Sequence, residues 1–361
     1  INRFHSDLLA NLWVNPGEQF DGTDTDGNGF VDDVYGWIFV DGNNDPADGH
    51  GHGTHCAGTI GAVGNNGIGI VGVCWNVKIV AVKGLSDEGS GYTADLAAAV
   101  EYISWFDGQD GRPRIHLSNN SWGGGGASLT MQNAIEKARQ ADQLFIAAAG
   151  NSGSDNDAFP HYPSSYPHDN IIVVASLTEG NPMTRSSFSC YGAESVDLGA
   201  PGQSIFSCRH DANDGYVNMS GTSMAAPHVA GAAALLLSIN PDLSYGVVRD
   251  ALLDAAREPG NQIPTLQDLT VTGGRLHLPS ALARLRGLMV SPLSATKVAG
   301  PPGGPFAPQS WQYLVRNVTS EDLDWEVAIE SDDDIWLDLS DAGGTLDPAG
   351  DLLLQVQVNA V

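Results

Sequence analysis

The sequence predicts an α/β fold, a doubly wound parallel sheet with helices on both faces, followed by a small all-β sandwich-like domain. From about residue 78 to 240, β-rich apolar runs alternate with helical patterns, the order that builds a parallel sheet. The segments "HLSNNSWGGGG" and "AAAGNSGS" fall at the carboxyl ends of two of those runs, where open sheets bind ligands. After "GGRLHLPSALARLRGL" the texture shifts to "SPLSATKVAGPPGGPFAP", whose proline, glycine and small residues are a linker signature. The expected organisation is a first domain over 1–287, a linker over 288–308 and a β domain over 309–361.

In chain order, "KIVAV" reads as a strand and "TADLAAAVEYISWF" as a helix, with Leu96, Val100 and Ile103 on one stripe. "IHLSNNS" is the next strand, "MQNAIEKARQA" the next helix, and "QLFIAAAGN" and "IIVVAS" are strands apolar enough to be buried on both faces. Beyond the linker, "WQYLVRNV", "LDWEVAIE", "IWLDLS" and "LLLQVQVNAV" alternate with period two. Four such strands fall short of the seven or so in a complete sandwich, so this domain is expected to be incomplete.

The 361 residues carry 43 acidic against 16 basic side chains, a net charge of -27. That charge repels phosphate backbones and anionic membrane surfaces, which argues against a nucleic-acid partner. No run approaches 18 uninterrupted apolar residues, so no membrane insertion is expected, and the chain is expected to be a monomer. Cys190 and Cys208 flank a loop and are open to two readings, a bridge or buried free thiols.

Three segments carry chemistry. In "GHGHGTHCAG" a glycine precedes His52 at the mouth of a helix, leaving the imidazole room to face a substrate as a general base. His50, His52 and His55 also raise zinc, but no carboxylate or thiolate stands at a usual zinc spacing, and His55 reads as a packed core histidine. In "NMSGTSMAAPHVAGAAALLLSI", Ser223 enters an apolar helix behind a glycine. Its hydroxyl and amide thus lie at the positive helix end, among small residues that leave space for a peptide carbonyl. In "FIAAAGNSG" a buried strand ends at Asn151, either a turn residue or an amide donor to an oxyanion.

Taken in the order His52, Asn151, Ser223, these segments resemble the subtilisin family of serine endopeptidases, with thermitase-like texture, from residue 1 to about 287. The resemblance implies a sheet of subtilisin type, Ser223 as nucleophile, His52 as general base and Asn151 as oxyanion donor. "SWGGG", with Ser121, Trp122 and Gly123, and "AAAG", with Ala148 and Gly150, would then line the cleft for a polypeptide substrate. The reaction implied is peptide hydrolysis through an acyl-enzyme.

One departure stands out. In the family a strand ends in Asp-Thr-Gly or Asp-Ser-Gly, followed by an aliphatic residue and His-Pro-Asp-Leu. "INRFHSDL" matches the part after that aspartate, which is therefore expected three residues before Ile1. Asp48, Asp32 and Asp33 lack the Thr-Gly or Ser-Gly context and read as loop or calcium carboxylates.

Calcium is the expected cofactor. "DGTDTDGNGFVDDVYGW" places Asp24, Asp26, Asn28 and Asp32 around Gly29 much as an EF-hand loop does. The closing glutamate of that pattern is replaced by Tyr35, and Asp33 is expected to complete the shell. A second site is implied by the resemblance of "VGNNGIGI" to a subtilisin calcium loop, with Asp7 and Asn66 as side-chain ligands and the carbonyls of Gly64, Ile68 and Ile70. The expectation is a secreted, extracellular, calcium-stabilised serine endopeptidase. The rival reading is a catalytically dead subtilisin fold serving as a calcium-dependent binding or adhesion module. A third, cysteine-peptidase chemistry at Cys56, lacks a separate orienting partner.

Overall fold

The computed structural model describes residues 1–291, 308–317, 321–327, 337–347 and 350–358. By contacts the chain divides into two units, Ile1–His277 and Leu278–Val361.

In the first unit β1 (Gly36–Ile38), α1 (His52–Gly61) and β2 (Ala81–Lys83) come first, β1 pairing parallel with β2. Then follow α2 (Thr93–Trp105), β3 (Leu117–Asn120), α3 (Leu129–Gln140), β4 (Leu144–Ala148), β5 (Ile171–Leu177) and β6 (Leu198–Pro201). Strands β3 to β6 form one parallel sheet in sequence order. An antiparallel pair, β7 (Ile205–Cys208) and β8 (Tyr216–Met219), leads into α4 (Thr222–Ile239) and α5 (Tyr245–Arg257).

Side-chain alternation explains the layers. Phe145, Ala147, Ile171, Val173, Ala175 and Leu177 face one way and pack with Ala97 and Val100 of α2 and with Met131, Ala134, Ile135 and Ala138 of α3. The last four recur at helical spacing on one stripe, and Ser128 caps α3 by accepting the Met131 amide. Leu144, Ile146, Ile172 and Val174, all buried, point to the opposite face, where α4 crosses β3 to β6. β4 and β5 are buried along their whole length, as central parallel strands are. α4 has the length and mean hydropathy, 1.4, of a membrane span. This qualifies the expectation from uninterrupted runs, since small residues interrupt a stretch that is still apolar on average. Two-thirds of the helix is buried inside the unit.

Among the described residues β2 pairs only with β1, and β3 only with β4. A groove of about 1260 Å³ separates the two sheets, lined by Val80 and Val82 on one side, Ile115 and Leu117 on the other, and running to His52 and Ser223.

The second unit holds α6 (Leu278–Arg286), β9 (Leu288–Ser291), β10 (Ser310–Asn317), β11 (Leu323–Glu326), β12 (Leu337–Leu339), β13 (Gly343–Leu346) and β14 (Asp351–Val358). One antiparallel sheet runs β12-β14-β10-β9, and β11 pairs with β13. Buried Asn317 at the end of β10 donates to the carbonyls of Glu321, Leu346 and Asp347, tying the turn regions around the two sheets together. The unit begins earlier than the boundary at 287 read from the sequence. Its first strand occupies Leu288–Ser291, the start of the expected linker, because those residues pair with Leu314–Asn317; residues 292–307 lie outside the described ones. All four cysteines are free and buried. Cys190 lies beside Ser152 and Cys208 packs with Leu8 and Ala57, so of the two readings open for that pair the free thiols hold.

Candidate active site

Ser223 is the second residue of α4, which begins at Thr222 behind Gly221. Its carbonyl accepts from Ser121 Oγ at 2.8 Å, and its own hydroxyl donates to the Ser121 carbonyl at 3.2 Å. This two-way exchange fixes the helix start to the end of β3. Asn151 follows β4 across the same cleft. Its Oδ1 accepts from the Thr222 amide at 2.8 Å and the Thr222 hydroxyl at 3.1 Å. A backbone N–H can only meet the oxygen end, so the amide's orientation is decided, and its NH2 is left for the cleft.

His52 opens α1. Gly51 before it has φ 99°, and a Cβ there would come within 2.5 Å of His210 Nδ1, so this position takes glycine on two counts. Asp48, four residues ahead of His52, is a cap. One oxygen accepts from the amides of His50 and Gly51, the other from the amide and hydroxyl of Thr54. Among the described residues no carboxylate hydrogen-bonds to His52; Cys56 Sγ stands 4.0 Å from its Nδ1. Burial pushes the His52 imidazole below its ordinary value of 6.5, with Asp48 partly opposing, which favours the neutral form a general base requires. Burial pushes the Cys56 thiol up to about 12, and its Sγ–H donates to the Ser223 carbonyl at 3.4 Å. A thiol held protonated is no nucleophile, which removes support from the cysteine-peptidase reading.

Trp122, Gly123, Ala148 and Gly150 line the groove with His52, Asn151 and Ser223. Trp122 packs edge-on to Phe145, and Gly150 donates its amide to Thr222 Oγ1 at 3.1 Å. His161, not singled out from the sequence, lies against both glycine stretches: a Cβ on Gly123 would fall 2.3 Å from its ring and one on Gly150 3.2 Å. Ser164 Oγ donates to the His161 carbonyl, so it accepts from the ring Nδ1–H. That leaves Nε2 as a bare acceptor on the Gly123 side of the ring. His55 is fully buried, with Nε2 on the carbonyls of Ile205 and Val217.

The acidic loop divides. Asp24 accepts from the amides of Gly27, Asn28 and Gly29, and Asp32 from those of Asp21 and Gly22, so both shape turns. Asp26 and Asp33 converge instead, and the third carboxylate beside them is Glu18, outside the loop pattern. Asn28 donates its side-chain amide to both aspartates. The oxygens of the three carboxylates lie within 4.8 Å of one another, a span suited to a cation bound at about 2.3–2.6 Å. Asp7 and Asn66 also meet, at 2.7 Å, and Asp7 accepts in addition from the Ile70 amide and the Tyr216 hydroxyl.

A serine at a helix start, a fixed amide donor and a neutral imidazole along one groove of an α/β sheet define the class: a subtilase family model matches residues 1–277, and the chain belongs to the subtilase family. It is similar to subtilisin-like protease 1 of Plasmodium berghei (strain Anka), 35% identical over 269 residues, covering 70% of this chain and 43% of that protein. It is likewise similar to subtilisin DY of Bacillus licheniformis, 40% identical over 229 residues, 63% of this chain and 78% of the relative. The chain thus spans less than half the length of the Plasmodium relative. Among solved structures, sphericase superposes with a TM-score of 0.61 at 28% identity, covering 76% of this chain and 87% of that one. A cold-adapted subtilisin-like serine proteinase gives 0.54 at 35% identity, covering 74% and 85%.

Proposed function

We propose that the chain carries the peptidase unit of a secreted, calcium-stabilised serine endopeptidase that cleaves polypeptides through an acyl-enzyme. The observation that carries this reading is the joint of Asn151 to Thr222, which occupies the amide's oxygen beside Ser223 and leaves its NH2 as a donor along the same groove. In that reading Ser223 Oγ leaves the Ser121 carbonyl and attacks the peptide carbonyl. His52 takes its proton and returns it to the departing amine, and the oxyanion is held by Asn151 Nδ2 and the Ser223 amide. Water, activated by His52, then releases the acyl group.

The step lacks one element within the described residues, a carboxylate to orient His52. We assign it to an aspartate on a strand seated in the groove between β2 and β3. Two facing unpaired edges support this, because a strand there would satisfy both. Calcium would be held by the carboxylates around Asp26 and Asp33, supplying positive charge that lets them stay ionised in a buried place. Extracellular calcium levels suit a site of so few charged ligands.

A fluorophosphonate probe tests the reading. The chain joined to the aspartate-bearing strand should be labelled, and Ser223→Ala should remove the label. Continued labelling of the alanine variant would assign the reactive hydroxyl elsewhere and overturn the proposal.

A further inference from the structure

We propose that His161 selects the substrate residue whose carbonyl is attacked, favouring an uncharged side chain that ends in a hydrogen-bond donor, a glutamine or asparagine carboxamide above all. This rests on the acyl-enzyme reading above and adds to it the class of polypeptide that the groove takes.

In that reading the carbonyl under attack lies between Ser223 Oγ and the Asn151 amide, so the side chain one bond away falls against the residues next to those two groups. Gly150 immediately precedes Asn151, and Gly123 stands two residues past Ser121, whose carbonyl accepts from the Ser223 hydroxyl. The His161 ring lies against both glycines: a Cβ on Gly123 would fall 2.8 Å from its Nε2, and one on Gly150 3.2 Å from its Cδ2. Gly123, Gly150 and His161 all line the groove. Neither glycine carries a side chain, so the imidazole supplies the side-chain surface between them.

The ring is held in place. The His161 amide donates to Ser165 Oγ at 3.0 Å, and its carbonyl accepts from the Ser165 amide and Ser164 Oγ, both at 2.7 Å. The Gly124 amide donates to the Tyr162 carbonyl at 2.8 Å, which joins this loop to the glycine stretch. With Nδ1–H spent on Ser164 Oγ at 2.9 Å, Nε2 is the acceptor; it has no partner among the described residues and is not sealed from solvent. Burial lowers the imidazole below its ordinary value of 6.5, with no charged group contributing, so near neutral pH the ring accepts and does not donate there.

Side chains of similar length are then told apart. The NH2 of glutamine meets Nε2. Methionine strips Nε2 of water and leaves it unpaired, and glutamate sets one lone pair against another. Lysine brings a charge with no open counter-charge: of the carboxylates among the described residues only Asp48 lines the groove, and it is committed to the start of α1.

The test uses four chromogenic peptides that differ only in the residue before the scissile bond, glutamine, methionine, glutamate or lysine, with the protein that fluorophosphonate labels. The kcat/KM for glutamine should exceed each of the others at least about tenfold, the effect of one buried hydrogen bond. His161→Phe keeps a flat ring without the acceptor, and His161→Gly removes the ring. Either variant should bring glutamine to within about twofold of methionine while Ser223 is still labelled; a merely structural loss would lower all four peptides alike. Peptides that end in glutamine or methionine are the acyl-side products and bind without chemistry, so titrating them separates the two readings. A glutamine preference by titration in a protein that is not labelled would remove the acyl-enzyme reading and leave the selectivity standing. If the unsubstituted protein takes methionine or lysine as well as glutamine, or the preference survives both substitutions, His161 does not select and the inference is overturned.

Discussion

A side-chain amide has two faces of opposite use, and at Asn151 the choice between them is made by Thr222. Asn151→Ala, which removes the donor together with the acceptor for Thr222, should lower kcat of the active enzyme by about 10²–10³ with little change in KM, the scale set by subtilisin itself. Steady-state hydrolysis of a chromogenic peptide reads both constants, and an unchanged kcat would leave Asn151 a turn residue. A second expectation concerns protons. Burial lowers the imidazoles of His52, His55, His161 and His228. The unfolded chain therefore binds protons at about 6.5 that the folded chain resists, and folding free energy falls as pH drops through 6.5 toward the lower folded values. Urea midpoints should decline between about pH 8 and about pH 5, and His55→Gln should flatten that slope. Ser223, His52 and Asn151, each marked in the sequence by a local pattern of glycines and small residues, come together along one groove. Glu18 was not so marked: "NPGEQFDG" reads as loop, and its burial beside Asp33 is a product of tertiary folding. His161 was hidden for the same reason, being placed by Gly123 and Gly150 from two other segments.

Elements show what a carboxylate near His52 is for. Asp48 accepts from the amides of His50 and Gly51 before α1 and from the amide and hydroxyl of Thr54 within its first turn, a duty that holds that turn, and hence His52, in place. Asp48→Ala should cost about 1–2 kcal/mol of stability by denaturant titration. Asp48→Asn, which keeps one accepting oxygen, should cost less. If both variants kept full stability but lost activity together, Asp48 would be the partner of His52 instead of its support. The strands of "QLFIAAAGN" and "IIVVAS" were legible because burial on both faces leaves an unbroken apolar run. The boundary near 277 was not, because "HLPSALARLRGL" continues the helical texture of the preceding domain while α6 packs with β9 inside the second unit. Pairing of Leu288–Ser291 with β10 is likewise a long-range choice that composition does not announce.

Over the whole molecule, 43 carboxylates and 16 basic groups make self-repulsion the dominant long-range force. Screening shortens its reach from about 30 Å at 0.01 M salt to about 8 Å at 0.15 M, so the thermal midpoint should rise with sodium chloride over that range, in chelator as well as in calcium. A midpoint that fell would mean that surface ion pairs outweigh the excess of negative charge. The sequence disclosed this excess but not where it concentrates. The groove between β2 and β3 and the buried carboxylates are properties of how distant segments meet. The fastening of Asn151 to Thr222 belongs to this scale too, because Ser223 is the very next residue of the same helical turn. Ser223 and Asn151 are thereby mounted on one bracket. When heat makes the sheet and its helices breathe, both parts are carried along together, and the alignment of the reaction has the tolerance of a single joint instead of the tolerance of the whole frame.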